Sequence, residues 1–330
     1  MKRLSHWARR SVKMLGLTWL AAGALSVQAQ QGYPNKPIRL VVPWGAGTPG
    51  DVAGRILADK MAAGLGQPII IIENKPGAAG TIGLADVLRQ PADGYTLYSL
   101  SSASLVAPLL YPTQNINFDK TLEPVAHVIW HYNVLVTPMN SRIKSVQDIV
   151  DLSKRDPGSL TFASGGNGSP AHLAGELFKQ QTGAMTTHVP YNQFAVGIGD
   201  VVADRVSFMF LTGSAAVPQI AGGKLKPLAV TGANRLAVLK DTPTMGEVGF
   251  KDFTLRSFES VMVKAGTPKD IVARLNAEYN KALQLPEVKE RLSALAVEID
   301  PMSPEQLGNV IRTESDRWIK IGTVAKIKAD

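Results

Sequence analysis

Gly45, Gly47 and Gly50 stand in the spacing G-x-G-x-x-G, directly after an apolar stretch and just before a segment of helical periodicity. At such a place glycines let the backbone turn tightly and approach a phosphate, while the helix start offers free N–H groups. Glu73 ends the next apolar stretch, near the ~20-residue offset at which an acid meets the ribose of a dinucleotide. By pattern alone this is a dinucleotide fingerprint, and an NAD-binding oxidoreductase stays open as the alternative function. Two residues speak against it. Pro49 stiffens the loop, and Asp51 puts a negative charge where a pyrophosphate would sit. A smaller anion needs only the first-turn amides and the positive end of the helix dipole.

Other chemistry is poorly provided for. Gly168-Ser169-Pro170 with His172 nearby lacks the G-x-S-x-G elbow of a serine hydrolase. Ser169 is explained as a helix N-cap and Pro170 as the first helical residue. Beyond the first 29 residues the histidines are His127, His131, His172 and His188. The first two have i,i+4 spacing, but Val128 to Val136 reads as strand, which denies them a shared helix turn. With 0 Cys there is no thiolate ligand, cysteine nucleophile or disulfide framework. No H-E-x-x-H motif or acid/His cluster suggests a metal. The sequence therefore assigns no catalytic residue, metal or cofactor, and reads as a binding protein, not an enzyme.

The elements that must position the glycine loop follow a repeating plan. Ile38 to Val42 is an apolar, β-branched strand interrupted only by Arg39. The chain enters a helix at Asp51, with Val52, Ile56, Leu57, Met61 and Leu65 on one face and a stop at Gly66. Asp51 itself reads as the N-cap. Pro68 to Glu73 is a second buried strand, followed by the small-residue loop Gly77-Ala78-Ala79-Gly80 and a helix from about Thr81 with Leu84, Val87 and Leu88 on one face. Tyr95 to Leu100 is a third strand, leading to Ser101-Ser102-Ala103-Ser104. Loops at the ends of neighbouring parallel strands lie side by side, where α/β sheets hold ligands.

The plan recurs further on. Leu160 to Ala163 leads into Ser164 through Ser169 and a helix with Leu173, Leu177 and Phe178, ending at Gly183. Strands Thr187 to Tyr191, Val206 to Leu211 and Leu225 to Thr231 complete a second α/β sheet. Thr267-Pro268-Lys269-Asp270 and Ser303-Pro304-Glu305-Gln306 read as capping boxes of two later helices. Two α/β lobes with glycine/serine loops at helix starts would close around a small anion.

The N-terminus gives an address. Lys2, Arg3, Arg9, Arg10 and Lys13 precede an apolar run from Met14 to Val27, and Val27-Gln28-Ala29 has small residues at the cleavage positions. Residues 1–29 thus read as a signal peptide cut near Ala29, placing the mature protein in the periplasm. The run is shorter than the ~20 residues of a spanning helix. Removing the five leader cations from the formal +8 leaves +3, so the basicity is no nucleic-acid footprint.

Several motifs, taken in order, resemble the Bug family, the exported solute-binding proteins of tripartite tricarboxylate transporters. YPNKPIRLVVPWGAGTPGD, from Tyr33 to Asp51, is similar to the family's opening strand and first ligand loop. ENKPGAAGTIG (Glu73 to Gly83) and PADGYTL (Pro91 to Leu97) follow as the family has them. SGGNGSPAHLAGELF (Ser164 to Phe178) and HVPY (His188 to Tyr191) resemble its second-lobe motifs. AGGKLKPLAVTGANR (Ala221 to Arg235) and AGTPKDIVARLNAE (Ala265 to Glu278) match its C-terminal pattern. The resemblance spans nearly the whole chain after the leader.

It implies an α/β two-lobed Venus-flytrap fold, each lobe a mixed sheet flanked by helices. Lobe 1 would hold residues 30–130 plus 255–330, and lobe 2 residues 131–254. It further implies a monomer that takes a small organic carboxylate to the transporter's membrane subunits. The ligand would meet Trp44, Gly47, Thr48, Gly50 and Asp51 in loop one, Gly77, Ala78, Ala79 and Gly80 in loop two, and Ser101 at the third strand end. Ser164, Gly168, Ser169, Tyr191 and Asn192 would contribute from the second lobe. Several residues depart from the family pattern: Thr48 and Gly50 in loop one, Asn192-Gln193-Phe194 after HVPY, Leu211 in place of a common aspartate, and Phe258 in place of a frequent tryptophan. These predict a less charged, more aromatic second-lobe wall and a monocarboxylate or aromatic carboxylate as ligand.

Overall fold

A computed structural model describes residues 32–66, 70–191 and 193–329; the leader, Pro68, Ile69 and Asn192 lie outside the described residues. The chain divides into Met1–Asn35 and Lys36–Asp330, and the described strands and helices all belong to the latter. Its N-terminal part runs β1 (Ile38–Val42), α1 (Pro49–Leu65), β2 (Ile70–Asn74), α2 (Thr81–Leu88), β3 (Thr96–Ser101), α3 (Ala107–Leu110), α4 (Phe118–Thr121) and β4 (Leu122–Pro138). The middle part adds α5 (Val146–Arg155), β5 (Thr161–Ser164), α6 (Pro170–Thr182), β6 (Thr187–Pro190), α7 (Phe194–Val202), β7 (Phe208–Thr212), α8 (Gly213–Ala221) and β8 (Leu225–Val230). The chain closes with β9 (Arg256–Lys264), α9 (Lys269–Gln284), α10 (Pro286–Ser293), β10 (Val297–Glu298) and α11 (Pro304–Val324).

One half of the sheet has the order β2-β1-β3-β9-β4 and the other β4-β7-β5-β6. The β1–β2, β1–β3, β5–β6 and β5–β7 pairs are parallel, so each half carries loops at carboxyl strand ends. The second sheet read from the sequence is thus not separate. β4 belongs to both halves: Leu122 to Tyr132 pair with β9, and Asn133 onward with β7 and β8. Near-continuous burial along its 17 residues suits a strand covered on both faces.

Two expectations need correcting. β2 is an edge strand bonded only to β1, so it is half-buried, and Ile71 is 43% exposed. No capping box opens α9, because Thr267 turns its hydroxyl back to the Lys264 carbonyl (2.7 Å). Four other predicted caps form. Ser303 and Gln306 exchange reciprocal bonds, Gly66 and Gly183 are left-handed C-caps, and Pro170 starts α6 behind Ser169.

Candidate ligand-binding site

The first loop is built around Asp51. Pro49 needs no partner for a missing N–H, so it begins α1 two residues before the predicted start, with Thr48 at the N-cap. Asp51 is therefore not the N-cap; it occupies the third helical position and reaches back. Its carboxylate accepts from the Gly47 N–H (2.9 Å), Arg55 Nε (3.0 Å) and Asn74 Nδ2 (2.9 Å). Burial alone would push this carboxyl up, but those bonds and the Arg55 charge outweigh it and hold it below the usual range. Thr48 spends its hydroxyl on the Gly45 carbonyl (2.8 Å) and leaves the helix start without a side-chain cap. The N–H groups of Gly50 and Asp51 accordingly find no acceptor among the described residues.

Loops two and three are tied to the first. Asn74 also donates to the Trp44 carbonyl (3.0 Å), and the Lys75 N–H donates to Val42 (2.8 Å). Gly77, Ala78, Ala79 and Gly80 all have positive φ (126°, 48°, 50° and 91°), a conformation that costs the two alanines energy. Tyr98 donates its hydroxyl to the Gly80 carbonyl (3.1 Å), and a Cβ on Gly80 would lie 3.2 Å from the Pro43 Cβ. The Trp44 indole N–H donates to Ser101 Oγ (2.9 Å). The ends of β1, β2 and β3 thus converge.

The second-lobe loop is more occupied with itself. Ser164 Oγ accepts from the Gly166 N–H (3.1 Å) and lies 2.6 Å from His188 Nε2. Ser169 caps α6 by accepting from the His172 N–H (3.3 Å), as predicted. The Gly168 N–H donates to His172 Nδ1 (3.1 Å), which makes that ring nitrogen the unprotonated one. His172 stacks on His188 with centroids 3.9 Å apart and planes 6° from parallel. Burial, together with the nearby His172 and Lys179, lowers His188 to about 3. This loop also abuts the segment after β3: a Cβ on Gly168 would meet Leu110 Cδ1 of α3 at 2.7 Å and Val106 Cγ2 at 3.2 Å. Tyr191 turns its hydroxyl to Asp200 (2.6 Å), and burial and that bond push it up to about 12. Asn192 lies outside the described residues.

Leu211 and Phe258 are fully buried in apolar clusters, so these two departures fall in packing and line no open wall. Sequence reasoning overlooked Arg55, Asn74, Tyr98, His188 and Glu259, which hold or flank the loops. Arg55 had a signal in its i,i+4 spacing from Asp51.

A family model described as "Tripartite tricarboxylate transporter family receptor" matches residues 53–326. The chain belongs to that receptor family. Protein BugT of Bordetella pertussis is 33% identical over 323 residues, covering 97% of this chain and 99% of its own. A solved R. palustris protein with adipate superposes with a TM-score of 0.83 at 29% identity, covering 90% of this chain and 100% of that one. MatC of Rhodopseudomonas palustris with bound malate gives 0.79 at 28% identity, covering 88% and 99%. The receptor has the two-lobed α/β fold of these binding proteins. Within it, the Gly47 amide that a dinucleotide would need is already held by Asp51.

Proposed function

We propose that the receptor captures a small organic carboxylate between its lobes in the periplasm. As a monomer it hands this ligand to the membrane subunits of a tripartite tricarboxylate-type transporter. The observation that carries the reading is the pair of unpartnered N–H groups, Gly50 and Asp51, at the positive end of α1 where three strand ends meet. Amide bonds to a charged ligand contribute ~1.5–3 kcal/mol each. The adipate and malate bound in its structural neighbours support the carboxylate class.

Lobe 1 is assigned residues 30–130 plus 255–330 and lobe 2 residues 131–254, a division supported by the passage of β4 from one half-sheet to the other after Tyr132. Ligand contact is assigned to the three first-lobe loops, with Ser164 to Ser169 closing from the second. The test is thermal melting against adipate, malate, benzoate, acetate, amino acids and NAD(H). A ligand at a hundred times its Kd adds ~2.7 kcal/mol of stability. Stabilisation by carboxylates, with the compound recovered unchanged, supports the receptor reading. Stabilisation by NAD(H) alone would replace it with the dinucleotide one.

A further inference from the structure

Beside the first turn of α1 lies a buried acid that the loops do not use. Glu259, in β9 between β3 and β4, is 4% exposed, and its Oε2 has no hydrogen-bond partner among the described residues. A Cβ on Gly50 would lie 2.6 Å from that oxygen and 3.1 Å from Ser99 Oγ, so the glycine makes room for the carboxyl group. His131 Nε2, on β4, is 3.6 Å from the other oxygen, and neither ring nitrogen of His131 has a hydrogen-bond partner. No lysine or arginine among the described residues comes within ion-pair range of Glu259. The remaining neighbours add no positive charge. β3 brings Tyr98 and Ser99, the turn 102–106 has no ionisable side chain, and Asp51 on α1 is ionised and paired with Arg55. Burial pushes Glu259 up, and His131 and Ser99 offset this only in part.

We infer that Glu259, with His131, is a proton-binding site coupled to the carboxylate site, so that the receptor captures an organic acid as an anion plus a proton. This rests on the carboxylate reading given above. A carboxylate at the Gly50 and Asp51 amides brings negative charge next to a buried acid whose one potential counter-charge is an imidazole. In so dry a place that charge disfavours a second ionised carboxylate. One proton passes from solvent to Glu259, leaving a neutral carboxyl, and no bond of the ligand changes. The proton is held more tightly in the complex than in the free receptor. Affinity is therefore greatest at low pH and falls as pH rises, by up to about tenfold per pH unit.

The test is titration calorimetry of the receptor with adipate, malate and benzoate, in buffers of different ionisation enthalpy, between about pH 6 and 9. The expected result is a binding heat that varies with the buffer and reports uptake of up to about one proton per ligand. Glu259→Gln should bind the same acid with that dependence abolished. Should Glu259→Gln fail to fold, infrared difference spectra of the wild type are to show a protonated-carboxyl band growing on binding. Binding without proton uptake, uptake that persists in Glu259→Gln, or absence of the band overturns the coupling alone. Failure of every acid to bind removes the carboxylate reading, and the coupling with it.

Discussion

In both Gly47–Asp51 and Gly168–His172, a left-handed glycine, a hydroxyl residue, a proline and a small residue lead to a side chain that reaches back to the glycine N–H. The two turns part in what closes them. In the first lobe the lock is a carboxylate fixed by Arg55 and Asn74, and Thr48 looks away, so the helix amides stay open. In the second lobe the lock is a neutral imidazole, and Ser169 spends its hydroxyl on the helix start. One geometry thus yields an open cradle on one side and a self-satisfied one on the other. The first helix start keeps free amides, while the second has its own hydroxyl cap.

The largest effect should come from the locks. Asp51→Asn leaves Arg55 without its charge partner and should cost about 2–3 kcal/mol in denaturant unfolding. His172→Leu, which removes one neutral bond, should cost about 1 kcal/mol. Equal losses would break the contrast. Next comes the residue before each lock. Gly50→Ala drives a methyl group onto Glu259 and should cost about 1–3 kcal/mol, whereas Ala171→Gly should cost under about 1 kcal/mol.

Acid should loosen the second lobe at His188. His188 is held at about 3 in the folded protein against an ordinary 6.5, so the unfolded chain binds the extra proton between these values. Stability then falls as pH drops below about 6.5, and His188→Phe should flatten that slope by up to about one proton. Asp51 is shifted in the same direction, but its stabilisation is complete above the ordinary carboxylate range and fades only below it, at lower pH than that of His188. The smallest difference is in the caps. Ser169→Ala should cost about 1 kcal/mol, and Thr48→Ala only a few tenths, because Thr48 caps nothing.

What could be read from the sequence was local. β1, the Ser169 cap, the stop at Gly66 and the strand around His127 and His131 depend on residues within a few positions, and the structure has them as predicted. Asp51 was misplaced because its partners include Asn74, on another strand. Thr267 was misread because a turn back to Lys264 competes with the cap. Glu259 carried no signal at all: its neighbours Gly50, Ser99 and His131 meet it only once β9 has entered the sheet. The phenyl ring of Phe258 and the side chain of Leu211 point into packing for the same reason, since depth in a sheet is a tertiary property.

That entry of β9 between β3 and β4 also sets a timetable. A chain made from its N-terminus has β1, β2, β3 and β4 long before the strand that joins β3 to β4 emerges. Until then the first half-sheet has two unpaired edges where its middle should be, and contacts of such sequence separation form slowly. The first half-sheet therefore cannot close until Arg256 to Lys264 have been made.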